Sequence, residues 1–265
     1  MPNFVPVTPR DIGTRRWRRT PNLRHAKQRE AVTLGVGELA KAVLHLPVAL
    51  IRQEQGWLPA AVLALHKGQN AFVSPGGEWL AGHVPAAFTF YPFALAPTTG
   101  EGLQLCFDAD SGLFTQGAEG EAFFDDGGRP TTAVREKYDL LLRLESGRKR
   151  AAAACAALDR HGLIRPWSIT VRTDDGEAPV VGLYRVDEAV LNKLPAEALL
   201  ELRNAGALVM AYCQLLSMQH LQTLGRLANA QGQAKHDAAT QSIVKGGELD
   251  MEFLNQGGTL SLRGL

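Results

Sequence analysis

The residues best suited to chemistry in this 265-residue chain are a dense aromatic segment and a few scattered acids. In the segment His83 to Phe93, Phe88, Phe90, Tyr91 and Phe93 fall within six positions. A run that aromatic is too apolar for an exposed loop. It reads as a core plug or as the wall of a pocket formed by Phe90 and Phe93, with His83 and Tyr91 supplying polar tips. The acids are Asp108, at the end of a strand, and Asp187, three positions after Tyr184. Carboxylates at strand ends act as general acids or bases when they share a pocket with such groups, and otherwise serve as turn and cap residues. Core and cap are the commoner fates of these residue types.

Other constellations are weaker. Ser217 and His220 share a helix face with Cys213, but no acid stands nearby to orient the histidine, so packing is the better reading. Asp108-Ala109-Asp110-Ser111-Gly112 opens like a calcium loop and then fails, because its glycine stands at the fifth position rather than the sixth. There is no HExxH, Walker loop, GxGxxG or GxSxG, and the seven histidines are dispersed. The sequence implies neither a metal nor a cofactor.

Composition bounds the rest. With 45% hydrophobic residues the chain can build a sizeable core, which excludes disorder as its main state. Three cysteines, Cys106, Cys155 and Cys213, give no disulfide framework and read as buried thiols. A net charge of +1 argues against nucleic acid as the partner. That near-zero sum hides a basic cluster, Arg15, Arg16, Trp17, Arg18 and Arg19, in residues 1–24, which read as an extended arm. Arginines around a tryptophan suit phosphates and a stacked base, but a short arm on a neutral body supplies few phosphate contacts, so a solvated tail is the expectation. No signal peptide and no transmembrane run is visible, so the default location is cytoplasmic, with leaderless export to the cell surface left open.

The elements that must position these groups follow from periodicity and turn chemistry. Val36, Leu39, Ala40 and Val43 predict a helix. Val48 to Ile51 and Ala60 to Leu65 predict strands, and His66 to Asn70 a polar turn. Ser74-Pro75-Gly76-Gly77 is a turn, and Pro85 and Pro92 bound a short helix. A strand at Leu103 to Phe107 precedes a long helix from about 132 to 160 that ends at Gly162. Strands at Trp167 to Val171 and Pro179 to Val186 flank a turn at Asp174-Asp175-Gly176-Glu177. Asp187 caps a short helix, Pro195 opens another, and Gly206 precedes a last one running to about 229. Residues 230–265 form a C-terminal extension, expected to dock as a short helix and strand around Met251 to Leu254 and Thr259 to Leu262. The fold class is α+β: a mixed, largely antiparallel sheet in the first half, with helices gathered in the second.

Over about residues 25–229 the chain resembles the SapC family of bacterial proteins. The resemblance is carried by Gly68-Gln69-Asn70, Glu78-Trp79, Pro85 with Tyr91-Pro92-Phe93, Gly112-Leu113-Phe114, Gly162-Leu163-Ile164, Gly182 to Glu188, and Leu202 to Leu208 leading through Tyr212 to Ser217. Members commonly carry an arginine just before the aromatic-Pro-Phe element, where this chain has Phe88-Thr89-Phe90. The resemblance implies a link to bacterial surface-layer or receptor systems and gives no mechanism.

Two functions are therefore in play. The first is a non-enzymatic binding or accessory protein that takes a peptide or protein partner. The alternative is an enzyme of unusual type acting on a peptide or carbohydrate, with His83, Tyr91, Asp108, Tyr184 and Asp187 in one pocket.

Overall fold

The computed structural model describes residues 3–245, except 66, 99, 101, 117, 118, 174 and 175. The basic segment supplies β1 (Phe4–Pro6), α1 (Pro9–Ile12) and β2 (Arg16–Trp17). Then come β3 (Ala31–Thr33), α2 (Val36–Ala42), β4 (Val48–Gln53) and β5 (Gly56–Val62). The aromatic segment makes one helical turn, α3 (Ala86–Thr89), before β6 (Phe93–Pro97), β7 (Leu103–Asp108), β8 (Phe114–Thr115) and β9 (Glu121–Ala122). The long helix α4 (Thr132–Arg160) leads to β10 (Ile164–Pro166), β11 (Ile169–Thr173), β12 (Gly176–Val180) and β13 (Tyr184–Val186). The chain continues through α5 (Glu188–Leu191), α6 (Ala196–Asn204), α7 (Ala207–Ser217) and α8 (Leu221–Lys245).

The class is α+β, and the strand pairings are antiparallel. A five-stranded sheet runs β10-β13-β4-β5-β3, a three-stranded sheet β1-β7-β6, and a second small sheet β8-β2-β9, with β11-β12 a separate hairpin. Residues 1–228 form one compact unit and 229–265 a second, whose described part is helical. The expected helix and strand at 251–254 and 259–262 lie outside the described residues, as do His66 and Asp174-Asp175 of the two expected turns. Among the described residues, no helix is long and apolar enough to cross a membrane.

Two apolar cores result. The larger packs the five-stranded sheet against α2, α4 and α7, around Leu46, Leu50, Leu63, Phe72, Leu158 and Met210. The smaller gathers Ile12, Trp17, Phe93, Leu105, Phe107, Phe123 and Val134. The aromatic segment straps the two together, because Phe88 belongs to the first core and Phe93 to the second.

The basic segment is folded in rather than extended. Trp17 is 2% exposed and meets Phe93 edge-on at 4.8 Å. β1 pairs with β7, and β2 with both β8 and β9. A buried tryptophan removes far more apolar surface from water than the surrounding arginines lose by lying on the surface, so Trp17 decides the placement. The run expected as one strand from Pro179 to Val186 breaks at Val181-Gly182, where Gly182 has φ +84°. Its first part closes the hairpin with β11, and its second crosses to β10 and β4.

The junction of β13 with β4 contains a buried amide. Leu50 and Tyr184 are the paired residues there. In the same register Val48 would face Val186, but the side chain of Gln214 on α7 stands between them. Its Oε1 accepts the Val186 N–H at 2.9 Å and its Nε2 donates to the Val48 carbonyl at 3.1 Å. Ser217, one turn on, accepts the Val48 N–H at 3.0 Å. Both side chains are fully buried, and both complete backbone bonding that the ladder leaves undone.

Candidate functional site

The predicted site residues fall into separate local sets. Tyr91 and Asp108 belong together: the tyrosine hydroxyl donates to Asp108 Oδ2 at 3.0 Å. The other carboxylate oxygen accepts the backbone N–H of Asn3 at 3.0 Å and of Asp110 at 3.2 Å. Asp108 is 3% exposed, so it is a buried acid with both oxygens engaged. Burial and then the neighbouring carboxylate push the Tyr91 hydroxyl up to about 12, which fixes it as a proton donor. His25 stacks on the Tyr91 ring at 4.1 Å and 12°. Both His25 ring nitrogens are buried without a hydrogen-bond partner. The Phe88 carbonyl lies near enough to favour the proton, yet burial outweighs it, and the His25 pKa is lowered.

His83 lies instead against Glu38, with Nε2 at 3.7 Å from Oε2, beyond hydrogen-bond distance. Glu38 is itself anchored, accepting the N–H of Ala86 at 2.9 Å and that of Gly35 at 3.4 Å, the latter closing the N-terminus of α2. Phe90 lies beneath the Lys137 ammonium of α4, 5.5 Å from the ring centroid. Tyr184 packs edge-on against Trp57 at 4.6 Å. Asp187 caps α5 by accepting the Val190 N–H at 3.2 Å, and lies 3.7 Å from Arg165.

The basic cluster is tied down locally. Arg15 lies over the Phe114 ring, Arg16 donates to the Gly120 carbonyl, and Arg19 pairs with Glu121 at 2.9 Å, while Arg18 is exposed. His220 meets the Val43 carbonyl at 3.0 Å, and Ser217 serves the β4 backbone. Burial pushes the Cys155 thiol up to about 12 and raises Cys106 and Cys213 as well, the opposite of nucleophile activation.

Two adjoining cavities lie along one face of α4. A cavity of about 200 Å³ is lined by Thr33, Glu38, Phe93, Leu95, Leu141 and Leu144, and ends at Glu145 and Arg148. A second, of about 580 Å³, begins at the same Glu145 and Arg148 and extends beneath the β4–β5 hairpin, past Trp57, Lys149 and Ala152. The result is a groove, apolar at one end and charged at the other, which follows α4 from Leu141 to Ala152. At 1.5 Å per residue that is about 16 Å. Its position is set where the start of α2 crosses α4: a Cβ on Gly35 would stand 3.2 Å from the Gly147 carbonyl carbon, so the glycine at 35 permits the approach, while a Cβ on Gly147 would meet Gly35 at an ordinary 3.6 Å.

One wall of the groove is the edge strand β6. Asp108 N–H donates to the Pro92 carbonyl, and Val7 N–H to that of Leu105. Bonded and non-bonded pairs alternate in an antiparallel ladder, so Ala94 and Cys106 bond each other while Leu95 and Leu105 turn away. Leu105 faces β1, and the Leu95 N–H and C=O therefore face the open edge, beside the cavity that the Leu95 side chain lines.

A family model described as SapC matches residues 9–224. The chain belongs to the SapC family. No curated protein and no solved structure matches it. The SapC match takes in the folded basic segment from Pro9 on, both cores, α4 and α7. Sequence reasoning named Phe93, which lines the smaller cavity, but not Leu95, Glu145, Arg148 and Lys149. One signal for them existed: Gly147 in the middle of a 29-residue helix costs about 1 kcal/mol relative to alanine, and such a glycine marks a close approach.

Proposed function

We propose that this SapC-family protein is a binding or accessory protein, and that its partner is an extended peptide or protein segment received in the groove along α4. The observation that carries this reading is the open edge at Leu95. A backbone donor and acceptor beside an apolar pocket suit β-strand addition, in which main-chain bonds give affinity and side-chain pockets give selectivity. The groove holds about five extended residues at 3.3 Å each. A suitable segment places an apolar side chain against Phe93, Leu141 and Leu144, and polar or charged groups near Glu145, Arg148 and Lys149. The surface-layer and receptor association implied by the family resemblance names the systems from which the segment comes. The enzyme alternative has less support, because Asp108 has no free oxygen, and Tyr184 and Asp187 pack on the other sheet.

Calorimetric titration with short peptides from surface and receptor proteins tests this. Binding is expected, and Leu95→Pro, which deletes one outward N–H at an edge where proline is tolerated and trims the leucine side chain that lines the pocket, lowers affinity about tenfold. Arg148→Ala weakens the charged end by a smaller factor. No binding across the panel would overturn the proposal, and binding indifferent to Leu95→Pro removes strand addition from it.

A further inference from the structure

The outward side of β6 is short of hydrogen-bond donors. Ala94 and Ala96 bond inward to β7, so the backbone groups of Phe93, Leu95 and Pro97 point outward. The Phe93 N–H is taken by the Phe90 carbonyl, and Pro97 has no N–H. The edge therefore offers one donor, the Leu95 N–H, against three acceptors, the carbonyls of Phe93, Leu95 and Pro97. Beyond Pro97 the chain turns back, with the Thr98 N–H bonded to the Gly102 carbonyl. The open window is the five residues of β6, which matches the length of segment that the groove holds.

An acceptor-rich edge restricts what pairs with it. A second copy of β6, laid antiparallel about Leu95, makes only the reciprocal pair of bonds between the two Leu95 residues. On either side Phe93 then faces Pro97, neither has an N–H to give, and their carbonyls meet no donor. A segment with a full set of N–H groups does better. Laid antiparallel, with its central residue opposite Leu95, it donates from that residue and from the residues two before and two after it. Its central carbonyl accepts the Leu95 N–H. Laid parallel, it donates from its first, third and fifth residues and accepts with the carbonyl of the first. In either direction the edge reads three alternate N–H groups and a single carbonyl, and the intervening N–H groups face away. In the antiparallel arrangement the central side chain lies on the same face as that of Leu95 and enters the cavity of about 200 Å³.

We infer that the β6 edge selects its partner by main-chain donors: the groove takes a short extended segment of a partner protein that carries an N–H at three alternate positions. Proline is excluded at those three positions and admitted between them, where the backbone it imposes is already extended. This selectivity deepens the strand addition proposed above and rests on it. It also explains how an open edge is kept from pairing with itself, since the proline at 97 and the closed N–H of Phe93 remove the donors that a second β6 would need.

The test takes the peptide of the calorimetric panel that binds most tightly and replaces each of its amides by an ester in turn, which removes an N–H and keeps the shape of the chain. Esters at three alternate positions should each weaken binding to the full chain about fivefold, and esters at the intervening positions should leave it within about twofold. Pro97→Ala, which supplies a donor at an exposed position, should tighten binding of the unmodified peptide about fivefold. An ester scan that is flat, or whose losses fall on consecutive residues, overturns the inference, and so does an unchanged affinity of the Pro97→Ala form. Strand addition itself survives those outcomes where Leu95→Pro still weakens binding, whereas no binding across the panel removes both.

Discussion

The two main sheets treat an incomplete strand edge in opposite ways. Between β4 and β13 the ladder is incomplete inside the larger core, and the fold inserts a buried amide, Gln214, that takes the N–H of one strand and the C=O of the other. At β6 the ladder also stops, and there the Leu95 backbone is left facing a groove. The difference follows from water. An unmet backbone group in a dry core costs its full desolvation, whereas the same group beside an open cavity keeps its hydration until a partner displaces it. A gap closed from within holds the fold together, and a gap left at the rim is available for binding.

The largest test of this contrast is Gln214→Leu. It leaves the Val186 N–H buried without a partner and the Val48 C=O with only the long 3.5 Å contact from the Ser217 hydroxyl, and should cost about 3 kcal/mol, read as a lowered urea midpoint with unchanged slope. Asp108→Ala comes next. It releases the Tyr91 hydroxyl and the N–H groups of Asn3 and Asp110, for a loss of about 2 kcal/mol. Tyr91→Phe, which removes one of those bonds, should cost about 1 kcal/mol. In the wild type, spectrophotometric titration should find one tyrosine ionising near pH 12.

A smaller effect concerns His25. Its folded pKa is depressed, chiefly by burial and additionally by Arg29, so the unfolded chain takes up the proton first as pH falls below about 6.5. The stability contributed by neutral His25 is complete above that pH and declines as pH drops toward the folded value. His25→Phe should flatten the stability–pH curve in that window, and an unchanged curve removes His25 from it. The stability of Leu95→Pro should fall by only about 1 kcal/mol, the share of the half-buried leucine side chain on the smaller core, because the outward N–H at an open edge supports no internal bond. A large loss there would mean that β6 is closed like β13, and the comparison would fail.

The sequence carried the local elements well. Helical spacing from Val36 and from Thr132, the cap at Asp187 and the glycine at 162 all correspond to element ends in the structure. These signals act within a turn or two of the chain. The site was less legible. Phe93 was visible as part of an aromatic run, but Leu95 differs from any other strand leucine only in having no strand on its outer side. Glu145 and Arg148 look like ordinary surface residues of a long helix until the β4–β5 hairpin and β6 are set on either side of them. The basic arm misled in the same manner: its arginines signalled solvent, while Trp17 reached a core assembled from strands about a hundred residues away.

By itself the sequence determined the α+β class, the family resemblance and the long helix, because each is written in neighbouring residues or in their order; that the aromatic segment joins two cores was decided by tertiary packing. Tertiary structure alone decided that Asp108 is spent on Tyr91 and Asn3, that Gln214 fills a missing rung, and that Leu95 faces an open groove. Which backbone groups go unmet depends on how distant strands register, and a linear pattern of residue types does not encode that register.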